Sequence, residues 1–593
     1  MRYLFKKNHA ATRRSYWAGL FFAVGLYYGE MCNLQAQDAT SLNNSGKEKA
    51  LKGDYTNAIY DFSHAIAIDS TYYTAYYNRA NAKYDLKNYR EALKDYHAAI
   101  RLNPDYKEAL NNRGLTYYAL KDYQPALHDF DKTLQLDPHY AKGYSNRGDT
   151  YLQLKQFNQA IADYDQATQI DNTNSTAFYN KASAYFLLEK YDAAQINFTR
   201  AITLDPNRAE AWYFRGLCYL NSQQPDAAIS DFNQTIALVP YYWKAFNGRA
   251  TACYQQKKYA EAEADYIKVS EAWPDDAEAF LGIGNCRMKQ KKYNDAINPY
   301  ATGTRLDPTA KEGWYGLGFC HYRQKKYNEG AEYLSKAIQL DEQYADAYEY
   351  RGYCHYKRKK YWPAIADFDK AIALDPKRKD CWYYRGHAKY ELKKYEKAIA
   401  DFEKTISLDK NYVEAYNYRG NSYYFLNQYQ TAWDDYQTAL KIDPKYPKAY
   451  SNRSIIQRAL YGNWQAALQD CNTAIALNPK LKQAYINRAG IKSHLGDDTG
   501  AEADFNAALN LDTEYDEAWS ARGSFYLSKK QFKKAEDDFT QAIIANPEEA
   551  EYYEKRGQIR ISLGNRQMAC DDFQKAKSLG SKMGKQLKEL NCK

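Results

Sequence analysis

The stretch YYNRANAKYDLKNYREALKDYHAAIRLNPDY, Tyr76–Tyr106, decides the fold because its pattern returns throughout the chain. A counterpart is AYNYRGNSYYFLNQYQTAWDDYQTALKIDPKY, Ala415–Tyr446. Self-comparison gives a period of 34 residues and sixteen copies, which begin near residues 39, 73, 107, 141, 175, 209, 243, 277, 311, 345, 379, 413, 447, 482, 516 and 550. Only the thirteenth copy is longer, by one residue near Gly462. The 62 tyrosines in 593 residues are the compositional sign of the same repetition.

Each copy, whose positions we number 1 to 34, contains two amphipathic segments. Helix A is predicted over positions 1 to 14 and helix B over positions 18 to 30. Positions 20, 24 and 27 share one face of helix B, where the second copy places Ala92, Tyr96 and Ala99. Position 8 is usually glycine or alanine, which lets the two helices approach closely. Asp137-Pro138, at positions 31 and 32, is typical of a helix start, so the pattern predicts an all-α protein.

The period and its small and aromatic positions resemble the tetratricopeptide repeat. The matching residues are Gly114, Tyr117, Ala126, Phe130 and Pro138 in copy three, and Gly216, Tyr219, Ala228, Phe232 and Pro240 in copy six. The resemblance implies a right-handed superhelical solenoid of about sixteen helix-turn-helix repeats over residues 39–583, with residues 584–593 as a capping helix or tail. It also implies a concave groove, lined by helix A, that binds protein or peptide segments.

The N-terminus has the pattern of a bacterial export signal. Basic residues precede the thirteen apolar residues YWAGLFFAVGLYY, Tyr16–Tyr28, and small and polar residues follow. We therefore expect a signal peptide over residues 1–36 and a periplasmic or cell-surface location for the remainder. Thirteen apolar residues are short for a membrane span, which needs about 20. An uncleaved inner-membrane anchor remains the alternative, and the rest of the chain is expected to be membrane-peripheral at most.

The arginine that recurs at position 7 is best explained by a partner within its own copy. Twelve copies have Arg at position 7, and all twelve have Asp at position 23. Copies eight and nine lose both residues together, as Ile283 with Pro299 and Leu317 with Tyr333. The pattern predicts salt bridges between helix A and helix B rather than a cationic ladder for an anionic polymer; examples are Arg79–Asp95, Arg113–Asp129, Arg351–Asp367 and Arg385–Asp401.

Cysteine and histidine spacing favours no metal site and no enzyme. Cys218, Cys286, Cys320 and Cys354 all occupy position 10, a small packed position, so buried thiols are expected. Neither a Cys-x-x-Cys motif nor an oriented catalytic triad occurs, and no cofactor is predicted. In an exported protein Cys570 and Cys592 are a candidate disulfide. The net charge of +9 is mild for this length, and export argues against a nucleic-acid partner.

Position 6 of helix A, expected in the groove, divides the chain into segments. Copies two to five carry an asparagine row, which consists of Asn78, Asn112, Asn146 and Asn180. A carboxamide donates and accepts, so such a row suits the backbone of an extended peptide, as in some relatives of the repeat; the alternative is that Asn-Arg is simply common here. Copies seven to nine carry glycines, Gly248, Gly282 and Gly316, which are expected to widen the groove.

Copies nine to twelve place aromatic side chains at positions 6 and 9. They are Phe319, Tyr350, Tyr353, Tyr384, His387 and Tyr418. Beside nearby carboxylates they suit a basic or aromatic peptide, or they stack on sugar rings; an ordinary Tyr-rich wall is the alternative.

A basic edge is predicted at the ends of helix A in copies eight to eleven. It consists of Lys291, Lys292, Lys325, Lys326, Lys359, Lys360, Lys393 and Lys394. Cations there offset the helix dipole, and they also suit an anionic contact. The favoured function is a non-enzymatic scaffold or adaptor that binds protein or peptide segments in the cell envelope. The alternative is an adaptor for carbohydrate or envelope polymer that uses the Tyr-rich groove and the basic edge.

Overall fold

The computed structural model describes residues 38–592. The predicted all-α class is confirmed, since these residues form 33 helices and no strand. The export signal expected over residues 1–36 lies outside the described residues. The chain forms two compact units, the first ending at Gln290 and the second beginning at Lys291.

The first unit contains fifteen helices in its described part, joined by tight turns. They are α1 (residues 38–51), α2 (Tyr55–Ile68), α3 (Tyr73–Asp85), α4 (Tyr89–Leu102), α5 (Lys107–Ala119), α6 (Tyr123–Leu136), α7 (Ala141–Gln153), α8 (Phe157–Ile170), α9 (Ser175–Leu187), α10 (Tyr191–Leu204), α11 (Ala209–Asn221), α12 (Pro225–Leu238), α13 (Trp243–Gln255), α14 (Tyr259–Ala272) and α15 (Ala277–Lys289).

The second unit contains eighteen helices in its described part. They are α16 (Tyr293–Leu306), α17 (Lys311–Arg323), α18 (Tyr327–Leu340), α19 (Ala345–Lys357), α20 (Tyr361–Leu374), α21 (Lys379–Glu391), α22 (Tyr395–Leu408), α23 (Val413–Phe425), α24 (Tyr429–Ile442), α25 (Pro447–Tyr461), α26 (Trp464–Leu477), α27 (Lys482–His494), α28 (Asp498–Leu511), α29 (Asp516–Ser528), α30 (Phe532–Ala545), α31 (Ala550–Ser562), α32 (Arg566–Ser578) and α33 (Lys582–Asn591).

Within each unit, helices pack against their neighbours in the chain through small residues and, in fourteen of the sixteen copies, one large ring on helix B. Helix B buries Ala92, Tyr96 and Ala99 in copy two, the face predicted from the period. At position 8 of copy three, a Cβ on Gly114 would lie 2.7 Å from the Phe130 ring. The small residue is therefore required by the close approach of helix A and helix B.

The turn from helix A to helix B contains a left-handed residue at position 15. Glycine occupies it in three copies, including Gly53 and Gly496, whereas Lys325 holds it with φ 63°. Twelve non-glycine residues adopt this conformation, four of them lysines of the basic edge: Lys291, Lys325, Lys359 and Lys393. A non-glycine side chain in this region is unfavourable by about 1 kcal/mol.

Lys325→Gly is therefore expected to raise the free energy of unfolding by up to about 1 kcal/mol. The control is Lys326→Gly, because Lys326 caps α18 at φ −85° and gains nothing from glycine. Urea unfolding of both variants measures the difference. A loss of stability in Lys325→Gly as large as in the control would contradict the strain argument.

No helix in the described part of the chain has the length and apolar character needed to cross a membrane.

Candidate functional site

The arginines of position 7 form bidentate ion pairs with the aspartates of position 23. In all twelve copies Nε and one terminal guanidinium nitrogen donate to the two carboxylate oxygens, at 2.5–3.0 Å. The pairs include Arg79–Asp95, Arg113–Asp129, Arg351–Asp367 and Arg385–Asp401. The aspartates are buried, so these arginines have a structural role.

Most of these arginines also connect adjacent copies, a contact that the sequence reasoning missed. The remaining guanidinium nitrogen of Arg147 donates to Asp131 at 2.7 Å, and that of Arg215 donates to Thr199 at 3.0 Å. Ten of the twelve make this contact, always to position 25 of the preceding copy. The acceptors are Ser63, Asp131, Thr199, Asn233, Ser335, Asp369, Gln437, Asn472, Asn506 and Thr540. The recurrence of a short polar residue at position 25 was the signal available in the sequence.

The asparagine row connects consecutive copies of the first unit. Each side-chain nitrogen donates to position 5 or 9 of the copy before it. The pairs are Asn78–Asn43 (2.8 Å), Asn112–Asn81 (3.0 Å), Asn146–Asn111 (2.8 Å) and Asn180–Asp149 (2.8 Å). The carboxamide oxygens of Asn78, Asn146 and Asn180 accept no hydrogen bond from the described residues. The row is thus partly structural and retains polar groups for a ligand.

Two of these contacts, and a third in the second unit, belong to one recurring arrangement around a buried tyrosine. The hydroxyl at position 24 and the asparagine at position 6 of the next copy donate to the same oxygen at position 9. The sets are Tyr96–Asn81–Asn112, Tyr164–Asp149–Asn180 and Tyr436–Asn421–Asn452. A buried hydroxyl needs a partner, which explains why position 9 is polar in these copies. The pairing of tyrosine at 24 with a polar residue at 9 was visible in the sequence and was missed.

Asp149 occupies the place that asparagine takes in the other two sets. Burial raises the pKa of this carboxyl above its usual value, although Tyr164 and Asn180 donate to it at 2.6 and 2.8 Å. When the pKa of a carboxyl is higher in the folded state than in the unfolded state, the folded protein loses stability as pH rises above the unfolded pKa, which is 3.8 here. The native carboxylate is therefore strained electrostatically at neutral pH.

Asp149→Asn is expected to be more stable than the wild type at pH 7 and equally stable near pH 3. The amide oxygen keeps both hydrogen bonds, as Asn81 and Asn421 show, and carries no charge to desolvate. Thermal unfolding of both proteins at the two pH values measures the difference. A variant that is less stable at pH 7 would show that the ionised carboxylate is needed.

The asparagine pocket lies along this row and has a volume of about 550 Å³. Asn112, Asn146 and Asn180 line it, together with Glu108 and Lys142 from the same groove. Ser145 also lines it, and the Ser145 hydroxyl is buried without a hydrogen-bond partner. The pocket wall therefore offers both donors and acceptors that the described residues leave unused.

The aromatic residues of copies nine to twelve form a continuous aromatic ladder rather than an open binding wall. Tyr356 joins its two halves, at 5.2 Å from Tyr384 and 5.4 Å from His387. Successive ring centroids lie 4.8 Å apart for Phe319–Tyr350, 5.5 Å for Tyr350–Tyr353, 4.8 Å for Tyr353–Tyr384 and 4.2 Å for His387–Tyr418.

Two residues of the ladder correct the sequence interpretation. Tyr353 is 8% exposed and His387 is 7% exposed, so neither presents a face to the groove, contrary to the prediction. Burial lowers the pKa of His387 to about 4, and the Nδ1 atom of its imidazole forms a hydrogen bond of 2.8 Å with the Tyr356 hydroxyl. Both residues are buried because large rings at positions 6 and 9 of neighbouring copies fill the space between them.

The expectation that three glycines widen the groove is also wrong. A Cβ on Gly248 would lie 2.6 Å from the Phe232 ring, and one on Gly282 would lie 2.7 Å from the Tyr266 ring. The Tyr300 ring takes the same place beside Gly316. Each glycine makes room for the position-24 ring of the preceding copy, which occupies the space that a side chain would need.

The basic edge is largely exposed. Seven of its eight lysines are exposed, and the Lys394 ammonium lies 3.8 Å from the centroid of the Trp362 ring. Within the described residues, none of the eight forms an ion pair. The edge is a surface of unneutralised positive charge in the second unit.

The cysteines at position 10 are buried free thiols, whose pKa values burial raises to about 12. Cys570 and Cys592 form a disulfide with Cα atoms 5.6 Å apart, which ties α33 to α32. Among residues 38–592, no group of three His, Cys, Asp or Glu is placed to hold a metal ion.

Models of the tetratricopeptide repeat match most of the length of the chain. One matches residues 77–141, 179–242, 219–277 and 247–310, and a TPR repeat model matches 148–189, 386–426 and 420–457. Single-repeat models match residues 311–344, 345–378 and 516–549, which begin where the 34-residue period places copies nine, ten and fifteen.

Solved structures with detectable likeness include the APC/C hetero-tetramer Cut9–Hcn1, at 14% identity over 82% of this chain and 97% of that chain, with a TM-score of 0.37. Yeast Tom70 matches at 18% identity over 78% and 96%, with a TM-score of 0.30. MamA matches at 28% identity over 27% and 92%, with a TM-score of 0.26. No curated protein sequence matches the chain significantly.

Proposed function

Because the chain belongs to the tetratricopeptide repeat family, whose members typically mediate protein–protein interaction, we propose that it is a non-enzymatic scaffold for an extended protein segment. The segment lies along the asparagine row of the first unit. The observation that carries the proposal is the asparagine pocket, whose wall holds unused donors and acceptors, including the buried Ser145 hydroxyl.

The spacing of the row fits a peptide backbone. Neighbouring packed helices lie about 8–10 Å apart, and an extended chain rises about 3.3 Å per residue. One asparagine therefore falls beside every third residue, and the four cover about ten residues. Contacts to backbone groups give binding with little dependence on sequence, which suits a scaffold.

The test is an array of peptides of about twelve residues, followed by titration of the full chain with the best binder. Asn112→Ala and Asn146→Ala are each expected to weaken binding about three- to tenfold. Truncating the peptide to about six residues is expected to weaken it further, because fewer asparagines are reached.

The matched control is Asn452→Ala. Asn452 donates to Asn417 at 3.0 Å and to Asn421 at 2.8 Å, so it connects copies of the second unit in the same way. The Asn452→Ala variant is expected to lose about as much stability as the Asn112→Ala variant, with no change in peptide affinity. Equal effects of the control and the Asn112 variant on binding would overturn the proposal.

We also propose that the scaffold is exported to the periplasm or cell surface. The basic and apolar pattern of residues 1–36 supports this, and so does the Cys570–Cys592 disulfide, since disulfides persist in oxidising compartments. The test is cell fractionation with N-terminal sequencing of the purified protein and thiol alkylation without reductant. A cytosolic protein with alkylated Cys570 and Cys592 would refute it.

A second candidate function is contact with an anionic envelope polymer along the basic edge. This candidate function is favoured because the lysines of the basic edge are mostly exposed and form no ion pair within the described residues. Alginate serves as the probe, and replacing the eight lysines by glutamine is expected to abolish a salt-sensitive interaction. Alginate affinity that changes neither with salt concentration nor with the substitutions would exclude this candidate.

A further inference from the structure

A second pocket of the first unit is lined by aromatic side chains. The tryptophan pocket has a volume of about 510 Å³, and Tyr213, Trp243 and Trp273 form its apolar wall. Trp273 is 45% exposed, and the neighbouring Tyr241 is 76% exposed, with its ring 5.9 Å from that of Trp243. Large exposed rings around a concavity are typical of binding surfaces.

Trp273 stands where the fold favours another residue. It occupies position 31, which is aspartate or asparagine in thirteen of the first fifteen copies. There the side-chain oxygen accepts the backbone N–H two residues later, as in Asp137 with His139 at 3.0 Å and Asp307 with Thr309 at 2.9 Å. Only Val239 and Trp273 depart from the pattern. A break with local structural preference at a pocket rim is a sign of function.

The polar groups of the pocket are mainly acceptors. The Asn247 carboxamide oxygen is buried without a partner. Asp276 uses one oxygen to cap α15, through the backbone N–H of Ala279 at 3.1 Å. Glu278 forms no ion pair within the described residues. With Lys244 as the one basic lining residue, the pocket has two carboxylates against one cation.

We propose that the tryptophan pocket binds an arginine side chain of the protein segment held in the groove. A guanidinium is planar and stacks on indole and phenol faces, and its five N–H groups match several acceptors at once. It would donate to Asn247, Asp276 and Glu278 while it packs on the aromatic wall. This inference rests on the proposed function, and it adds a preference for one residue type to backbone contacts that have none.

The test uses the full chain and the peptide Ac-Gly-Ser-Arg-Ser-Gly-NH2, with tryptophan fluorescence and calorimetry as readouts. The matched peptide carries citrulline, which has the shape of arginine without its charge. Arginine is expected to bind about tenfold tighter than citrulline, with the difference reduced at high salt. Equal affinities would overturn the proposal.

Two variants locate the contact. Trp273→Asp restores the residue that the turn favours, so it is expected to fold normally and to lose the preference for arginine. Glu278→Gln keeps the shape and is expected to weaken arginine binding alone. Trp362→Ala, an exposed tryptophan of the second unit, is the control and leaves binding unchanged. Unaltered arginine binding in Trp273→Asp would place the contact elsewhere and refute the proposal.

A five-residue peptide cannot cover the asparagine row, so the two proposals fail separately. Loss of long-peptide binding in Asn112→Ala with equal arginine and citrulline affinities keeps the proposed function and rejects the arginine pocket. Arginine binding without any effect of Asn112→Ala rejects the asparagine row instead. Methyl α-glucoside is the remaining probe, and binding of this sugar but not of arginine would show that the pocket is a carbohydrate site.

Discussion

Arg113→Met is expected to lower the free energy of unfolding by about 3–5 kcal/mol, because it leaves Asp129 charged and buried without a partner. Asp129 is 1% exposed, and Arg113 is the cation that donates to both of its oxygens, at 2.8 and 2.7 Å. Position 11 of this copy is Tyr117, whereas Lys83 supplies a second cation to Asp95 in copy two. Asp129 is also the least exposed of the twelve aspartates, so copy three is the one in which the loss should be largest.

Urea unfolding gives the global effect, and hydrogen exchange over α5 and α6 shows where protection is lost. The control is Lys94→Met, which removes the exposed Lys94–Glu91 pair of 2.6 Å and is expected to change stability by less than about 1 kcal/mol. Equal effects of the two variants would show that burial of the carboxylate is irrelevant.

The chain itself contains the compensating replacement. Copy nine has Leu317 and Tyr333 at the two positions, an uncharged pair. The double variant Arg113→Leu/Asp129→Tyr is expected to recover most of the stability lost in Arg113→Met, since replacing both charges leaves neither unpaired. A double variant less stable than the single one would indicate that the ion pair has a positive role beyond neutralisation.

The repeat and its ion pairs could be predicted from the sequence because sixteen copies test each proposal against the others. Arg113 and Asp129 were assigned as partners because both residues vanish together in copies eight and nine. The contact of Arg147 with Asp131 joins two adjacent copies, so the pairing of positions within one copy does not reveal it. Periodicity shows which positions face each other, and correlated exceptions show which residues touch.

Exposure in the groove could not be predicted in the same way, because it depends on the volumes of neighbouring side chains. Position 9 was expected to face the groove in each copy, yet Tyr353 is buried because Tyr350 and Tyr384 are also large. Gly248 was expected to open the groove, whereas the Phe232 ring fills the space. The tryptophan pocket was missed because Trp273 was not singled out in the sequence, although its departure from aspartate at position 31 was visible there.

Tyr353→Ala is expected to lower the free energy of unfolding by about 3–5 kcal/mol, the range for truncating a large buried aromatic side chain. Its ring lies 4.8 Å from that of Tyr384 and 5.5 Å from those of Tyr350 and Phe368. Truncation removes all these contacts and leaves a cavity between copies of the second unit. Hydrogen exchange is expected to rise over α19 and α21, because repeat arrays lose stability locally.

The same variant separates packing from ligand binding. A groove residue that contacts only a ligand would lose binding and keep its stability when truncated, whereas a packing residue loses stability first. Tyr60→Ala removes an exposed tyrosine and is expected to stay within about 0.5 kcal/mol of the wild type. Tyr353→Phe removes only the hydroxyl that donates to Glu349 at 2.7 Å, and Glu349 keeps Arg378 as a partner. We therefore expect a loss of about 1 kcal/mol for Tyr353→Phe, and a loss as large as that of Tyr353→Ala would assign the stability to the hydroxyl rather than to the ring.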